Sequence, residues 1–267
     1  MNNTDIYFTQ NELCNTVHNE KNVWFCKFEY IFEDFATISQ LDHEVIFICG
    51  NSDYSFTEKI LSNKPDNIKY IFATNSTCSD NKSIFSLPIG IESPFGAKRI
   101  GHGIGFSFSQ EKYSHIQRVN EQKLNIKNLI YSNFLVETNP YIRETINQKI
   151  KKSKYVTIQN KVSLENFFNE VASHEAVLCP IGNGLDTVRT YETFYCGKIP
   201  IIYGSDLIYK NIFHDMPCVY IHDIEEINDE KYIFDKIEQA KNKKDKFDKA
   251  YLKYWLQEIS RKIQDLK

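Results

Sequence analysis

Residues 179–204, "CPIGNGLDTVRTYETFYCGKIPIIYG", set two glycines, an asparagine and several charged side chains between two apolar runs. The run "AVLCP" that leads into this stretch has the composition of a short buried strand, and "IPIIYG" has that of a second. Between them, Asp186 or Thr187 is placed to cap a helix. A strand, a turn, a helix and a returning strand make up the repeating unit of a parallel sheet. The stretch therefore predicts an α/β fold.

The same stretch also predicts a ligand site, because ligands bind at the carboxyl ends of strands in open α/β sheets. The glycines would let the backbone approach a ligand, and the first turn of the helix would offer free N–H groups to an anion. Arg189 could add a bidentate contact to phosphate, and Glu192, three residues on, could accept ribose hydroxyls. In the alternative interpretation Asp186 only caps the helix, and Arg189 and Glu192 pair with each other on its surface. The predicted binding residues are Gly182, Asn183, Gly184, Asp186, Thr187, Arg189 and Glu192.

The composition limits the class of protein. Hydrophobic residues make up 42% of the 267 residues, which is enough for a globular core. The formal net charge is −3, so no basic field favours nucleic acid as a partner. The seven cysteines include no CxxC pair, which favours reduced, buried thiols over disulfides or a zinc site. Neither a secretion signal nor a membrane-spanning run is visible, so we expect a cytoplasmic protein whose membrane contact is at most peripheral, at the inner face.

Two series of alternating strands and helices are predicted along the chain. Runs such as "EVIFICGN" and "IKYIFATN" belong to the first series, and "NLIYSNF" opens the second. We predict two Rossmann-like halves with mainly parallel sheets, formed by residues 1–125 and 126–267, with a cleft between them. The alternative is one continuous doubly wound sheet. Residues 93–108 contain four of the ten glycines and predict a long loop, a type of segment that is often functional.

Three side chains in the first half are candidates for a general base. Asp53 and Glu92 each follow a predicted strand, and His102 lies in the glycine-rich loop, where it could act as a base or a phosphate ligand. The structural alternatives are an Asx turn for Asp53, a similar strand-ending role for Glu92 and a solvated loop side chain for His102. No set of ligands with metal-site spacing is visible, so no metal is predicted.

The opening stretch resembles the donor-site motif of exostosin-like and related bacterial glycosyltransferases, in which a line such as "SPxGNGxDxxRxWEALxxGxIPIV" recurs. Here Tyr-Glu-Thr stands where that pattern has Trp-Glu-Ala. Fainter similarity extends upstream through "GNSDYS", "LPIGIE" and "NLIYSNFLVETNPYIRETI", and the late "YLKYWLQEI" resembles the C-terminal helix of these families. The matching positions are Pro180, Gly182, Asn183, Gly184, Asp186, Arg189, Glu192, Gly197, Ile199 and Pro200.

The resemblance implies a compact GT-B-like arrangement. Its second half would bind a nucleotide sugar, expected to be UDP-linked, and a glycan or lipid-linked glycan acceptor would meet the donor across the cleft. No DxD triplet occurs, so we expect metal-independent hexosyl transfer in surface polysaccharide synthesis, with helix N–H groups and Arg189 stabilising the leaving diphosphate. No cofactor is expected besides the donor substrate. The alternative is a non-catalytic nucleotide-sugar or glycan-binding module of a polysaccharide assembly complex.

Overall fold

The computed structural model describes residues 7–79, 81–122, 124–243 and 246–266. Contacts within the chain define two compact units, one formed by Met1–Ser107 with Asp248–Lys267 and the other by Phe108–Phe247. Each unit is built around its own parallel sheet. The predictions of an α/β fold and of two mainly parallel sheets are thus confirmed, and the alternative of one continuous sheet is wrong.

The first unit contains a four-stranded sheet whose strands follow one another in sequence order. Apolar side chains cover both faces, with α1 on one face and α2 on the other. The sequence analysis predicted these strands but assigned neither α1 nor α2. For α1 a signal was available, because Thr9 caps it by accepting a hydrogen bond from the Glu12 amide. The elements are α1 Gln10–Val17, β1 Val23–Lys27, α2 Ile31–Ile38, β2 Val45–Gly50, α3 Glu58–Leu61, β3 Ile68–Thr74 and β4 Ile84–Leu87.

The second unit begins with a helix that the sequence analysis placed in the first half. The break in contacts therefore precedes this helix at Ser107, whereas the predicted boundary followed residue 125. A π-helical turn, Tyr209–Phe213, continues α8. The elements are α4 Phe108–Glu121, β5 Asn128–Ser132, α5 Pro140–Ile150, β6 Val156–Ile158, α6 Leu164–Ala172, β7 His174–Pro180, α7 Val188–Tyr195, β8 Ile199–Tyr203, α8 Asp206–Ile208, β9 Val219–Tyr220 and α9 Glu230–Lys241.

The strand order of the second sheet, β6-β5-β7-β8-β9, reverses direction once. In this sheet β5 lies between β6 and β7. The chain passes from β5 through α5 to β6 on one side of β5, and then through α6 to β7 on the other side. The two strands at the reversal are hydrogen-bonded neighbours, with Ile130 opposite Ala176 and Tyr131 opposite Val177. In doubly wound sheets the carboxyl ends of such strands flank the crevice where ligands bind. The described strands of the first sheet show no such reversal.

The last helix, α10 (Leu252–Gln264), belongs to the core of the first unit although it lies at the end of the chain. Its buried face packs with α1 and with the sheet, and the Trp255 ring meets Phe8 and Phe72 edge to face. The helical C-terminal region is therefore divided, because residues from Asp248 onward belong to the first unit, whereas α9 packs in the second unit.

Two further predictions from composition can be compared with the structure. All seven cysteines are free and buried, as their positions in apolar runs indicated. Within the described ranges, no helix combines the length and the hydropathy that crossing a bilayer requires.

Candidate functional site

The turn after β7 lies at the reversal of the second sheet, and a capped helix holds it in place. Asn139 is the N-cap of α5, and its side-chain oxygen accepts a hydrogen bond from the Ile142 amide at 3.4 Å. The Asn139 Nδ2 donates to the carbonyl of Gly182 at 2.9 Å. Pro140 occupies the first turn, where its missing N–H leaves no hydrogen bond unmade. The N-terminus of α5 and the turn after β7 therefore form one hydrogen-bonded assembly.

Arg143 of α5 reaches from this assembly to the end of β7. Its Nε donates to the Ile181 carbonyl at 2.9 Å, its Nη1 to the Leu135 carbonyl at 2.9 Å, and its Nη2 to the Pro180 carbonyl at 3.3 Å. Burial and the nearby positive charge of Arg189 lower the pKa of Arg143 to about 10, so the side chain is still charged at neutral pH. No carboxylate in the described ranges forms an ion pair with it.

Arg189 lies in the first turn of α7, with its guanidinium carbon 5.0 Å from the centroid of the Phe167 ring. Its Nη1 is buried and has no hydrogen-bond partner in the protein. Among the residues that the structure describes, no carboxylate pairs with Arg189, so the predicted alternative of an Arg189–Glu192 surface pair is not observed. A buried donor without an acceptor is costly and rare in native proteins, and it calls for an explanation.

A second unpaired donor follows β5. The Nδ2 of Asn133 is buried and has no partner, and the Tyr131 hydroxyl nearby donates to Gln159 Oε1 at 3.1 Å. Burial raises the pKa of Tyr131 to about 12, and the positive charge of Arg189 partly opposes this rise. Asn133 and Arg189 therefore both lie near Tyr131. We refer to Asn133, Arg143, Gly182 and Arg189 as the anion cluster.

The sequence analysis missed Asn133 and Arg143, although it quoted the segment that contains both. The available signal was positional. Asn133 is the first residue after a parallel strand, and Arg143 lies in the first turn of the helix that follows it. Only the strand order places these positions beside the turn after β7.

Glu192 is buried in an ion pair with Lys112 of α4. The Lys112 Nζ lies 2.6 Å from Glu192 Oε1, and the two side chains are 5% and 8% exposed. One carboxylate oxygen of Glu192 is therefore already held by the protein. The contact of Glu192 with a ribose stays a prediction.

Asp186 and its neighbours organise the start of α7. The Asp186 Oδ1 accepts from the Thr187 amide at 2.8 Å, and its Oδ2 accepts from the Tyr191 hydroxyl at 2.6 Å. Thr187 is the N-cap residue, without a side-chain capping bond. Gly197 lies just beyond the end of this helix with φ of +69°, a left-handed conformation that glycine adopts readily. Asp186 thus has a structural role in shaping the turn.

The glycine–asparagine–glycine turn is closely packed at its first residue and open at its second. A β-carbon on Gly182 would lie 3.1 Å from Arg143 Nη2 and 3.5 Å from the Thr138 methyl group. Asn183 is exposed, and Gly184 accepts a backbone hydrogen bond from Gly182 at 3.1 Å. The absence of a side chain at Gly182 therefore lets Arg143 bind the carbonyls at the end of β7.

We expect Gly182→Ala to lower the free energy of unfolding by about 1–3 kcal/mol, the usual cost of overpacking. Arg143 cannot move away from the added methyl group without lengthening its bonds to three carbonyls. Urea denaturation would measure the loss. The exposed neighbour provides a matched control, because Asn183→Ala should change stability by less than about 0.5 kcal/mol. Equal stabilities for the two variants would contradict this account of the glycine.

The three candidate bases lie near the carboxyl ends of strands of the first sheet. Asp53 comes three residues after β2 and is exposed, and Glu92 comes five residues after β4 and is half-buried. His102 is tied to the end of β1, where its Nδ1 accepts from the Lys27 amide at 2.8 Å. Parallel strands place all three at the same edge of the sheet. Their catalytic roles stay predictions.

His102 is also part of a buried cluster with Cys26, Asp34 and Arg99. One potential metal-ligand atom from each of Cys26, Asp34 and His102 lies within 4.8 Å of the other two. Arg99, however, donates from Nη2 to Asp34 Oδ1 at 2.5 Å, and its Nε lies 2.9 Å from His102 Nε2. The guanidinium thus already supplies a positive charge to two of the three groups. Burial and the Arg99 charge lower the pKa of His102, so it is neutral at pH 7.

Comparisons with known proteins assign no family to this chain. No protein-family model matches it, and no curated protein sequence matches it. The functional interpretation therefore depends on the geometry of the site and on the motif resemblance.

Proposed function

We propose that the second unit binds the diphosphate of a nucleotide sugar at the anion cluster. The observation that carries this proposal is the buried Arg189 Nη1, which has no protein partner and lies near a second arginine without a counter-charge. Two uncompensated guanidinium groups favour an anion, and planar guanidinium groups match phosphate oxygens well. The position supports the same conclusion, since the cluster lies at the reversal of the sheet.

The activity we propose is metal-independent glycosyl transfer by a GT-B-like enzyme. The donor-site resemblance of residues 179–204 supports this choice among diphosphate-binding functions. In such a reaction, negative charge develops on the leaving diphosphate, and preorganised positive groups lower the barrier by stabilising it. Arg143 is preorganised in this sense, because three carbonyls fix its guanidinium. Arg189 has no such bonds and is available to the ligand.

The remaining roles follow from the same proposal. The donor is a UDP-sugar and the acceptor a glycan or lipid-linked glycan, within a cytoplasmic pathway of surface polysaccharide synthesis that involves at most peripheral membrane contact. Asp53, Glu92 and His102 are the candidates for deprotonating the acceptor hydroxyl. Glu192 keeps its second carboxylate oxygen for a ribose hydroxyl while Lys112 holds the first.

We expect Arg189→Ala to weaken UDP binding by roughly 10- to 100-fold, since hydrogen bonds to charged groups contribute about 1.5–3 kcal/mol. Stability should change little, because the side chain gives up no protein hydrogen bond, and its contact with Phe167 is worth about 0.5–1 kcal/mol. Isothermal titration calorimetry with UDP and urea denaturation would measure the two quantities. A structural arginine would give the opposite pattern, with stability lost and affinity kept.

Arg261→Ala is the matched control, because Arg261 is an exposed arginine of α10 that pairs with Glu258 three residues before it. It should leave UDP affinity unchanged. If Arg189→Ala behaves like this control, the anion cluster is not the diphosphate site.

Release of UDP from UDP-sugars without acceptor would separate an enzyme from a binding module. Tight binding with no turnover, with or without glycan acceptors, would favour the module.

A further inference from the structure

Two stacked tyrosines lie at the same edge of the second sheet as the anion cluster. Tyr220 is the last residue of β9. The ring of Tyr209, from the π-helical turn, stacks on Tyr220 with centroids 4.6 Å apart and an interplanar angle of 17°. His222 meets the Tyr220 ring edge to face at 4.8 Å. We refer to Tyr209 and Tyr220 as the tyrosine cluster.

The tyrosine cluster is only half-buried, and its polar ends have no protein partners. In the described part of the chain, no protein group hydrogen-bonds to the hydroxyls of these two residues. Burial raises the pKa of Tyr209 and Tyr220, so both stay protonated and can donate hydrogen bonds at neutral pH. Tyr209 also begins the π-helical turn, a distortion that is common at functional sites. The two rings are therefore partly accessible, and their hydroxyls can bond to water or to a ligand.

The strand register gives the distance from the end of β7, where Arg143 binds, to the tyrosine cluster. Pro180, whose carbonyl binds Arg143, is paired across the sheet with Tyr203, and Ile202 is paired with Tyr220. Adjacent strands lie about 4.8 Å apart, so the stacked tyrosines lie roughly 10 Å from the end of β7 along the sheet edge. A ribose and its phosphate linkage span a gap of this size. The spacing therefore suits a nucleotide lying across the ends of β7, β8 and β9.

We propose that the tyrosine cluster is the nucleobase subsite for the nucleotide whose phosphates bind the anion cluster. Every base has a π-face that an aromatic ring can stack against, and the free hydroxyls can donate to base carbonyl oxygens. This inference rests on the proposed function of the anion cluster. It adds the residues that recognise the base and the direction in which the nucleotide lies.

The test compares UDP and GDP with inorganic pyrophosphate, which has no base, by calorimetry on the full chain. Tyr209→Leu and Tyr220→Leu should each weaken UDP and GDP binding by roughly 5- to 100-fold and leave pyrophosphate affinity within about twofold. Tyr220→Phe keeps the ring and should retain most of the affinity. Phe234→Leu is the control, because this ring on α9 is 48% exposed and lies outside the cluster.

The possible outcomes separate the nucleobase subsite from the anion cluster and from the proposed function. Unchanged UDP and GDP affinity in both leucine variants would overturn the nucleobase subsite and leave the anion cluster intact. Equal losses for pyrophosphate and UDP would also overturn it, because the tyrosines would then only shape the anion cluster. If the unmodified chain binds neither pyrophosphate nor nucleoside diphosphates, the proposed function itself is wrong.

Discussion

Replacing Lys112 by methionine should lower the free energy of unfolding by about 3–5 kcal/mol, because the change leaves the Glu192 carboxylate buried without its cation. The Lys112 Nζ and Glu192 Oε1 lie 2.6 Å apart, and both side chains are almost fully buried. Glu192→Leu should have a loss of similar size, since it leaves the lysine unpaired. Urea denaturation followed by circular dichroism would measure both.

The double variant separates the ion pair from simple packing. Lys112→Met combined with Glu192→Leu removes both charges, and such replacements of buried pairs are often neutral or stabilising. We expect the double variant to be more stable than either single one. Purely additive losses would mean that the two side chains do not act as a pair.

The same variants test the ribose contact of Glu192. If Glu192 only holds α4 against α7, the double variant should bind UDP as the unmodified chain does. A ribose ligand would instead give a double variant that is folded and stable but binds UDP more weakly. The sequence predicted either a ribose contact or a surface ion pair for Glu192. The structure shows instead a buried ion pair with Lys112.

Trp255→Ala should destabilise the first unit by about 3–5 kcal/mol, the range for truncating a buried large aromatic side chain. Trp255 is 5% exposed, and its Nε1 donates to the Lys249 carbonyl at 2.8 Å. Its ring also packs against Phe8, which joins the two ends of the described chain in one core. Thermal and urea unfolding would measure the loss.

Lys253→Ala is the matched control for this helix, because Lys253 is exposed two residues earlier. It should change stability by less than about 0.5 kcal/mol. Trp255→Phe should lie between the two variants, since it keeps most of the apolar contact and loses the hydrogen bond. If Trp255→Ala is no more destabilising than the control, α10 is not part of the core of the first unit.

Local patterns in the sequence determined the class of fold and most of its strands. Short apolar runs bounded by glycine and proline predicted the strands, because a strand buried on both faces needs a continuous apolar segment. Capping chemistry likewise determined the start of α5 at Asn139 and Pro140 and the end of α7 before Gly197. These features depend on residues within one turn or one strand of each other, so the sequence contains them directly.

The tertiary structure decided which of the polar residues form a site. Arg189 was predicted from its own motif, but Arg143 and Asn133 come from segments 46 and 56 residues earlier, and only the β6-β5-β7 strand order brings them to it. Glu192 was predicted to face a ligand together with Arg189, yet α4 supplies Lys112 as its partner. The physical reason is that burial and charge pairing depend on neighbours across the sheet. Those neighbours are set by strand order and helix packing, which local sequence patterns do not specify.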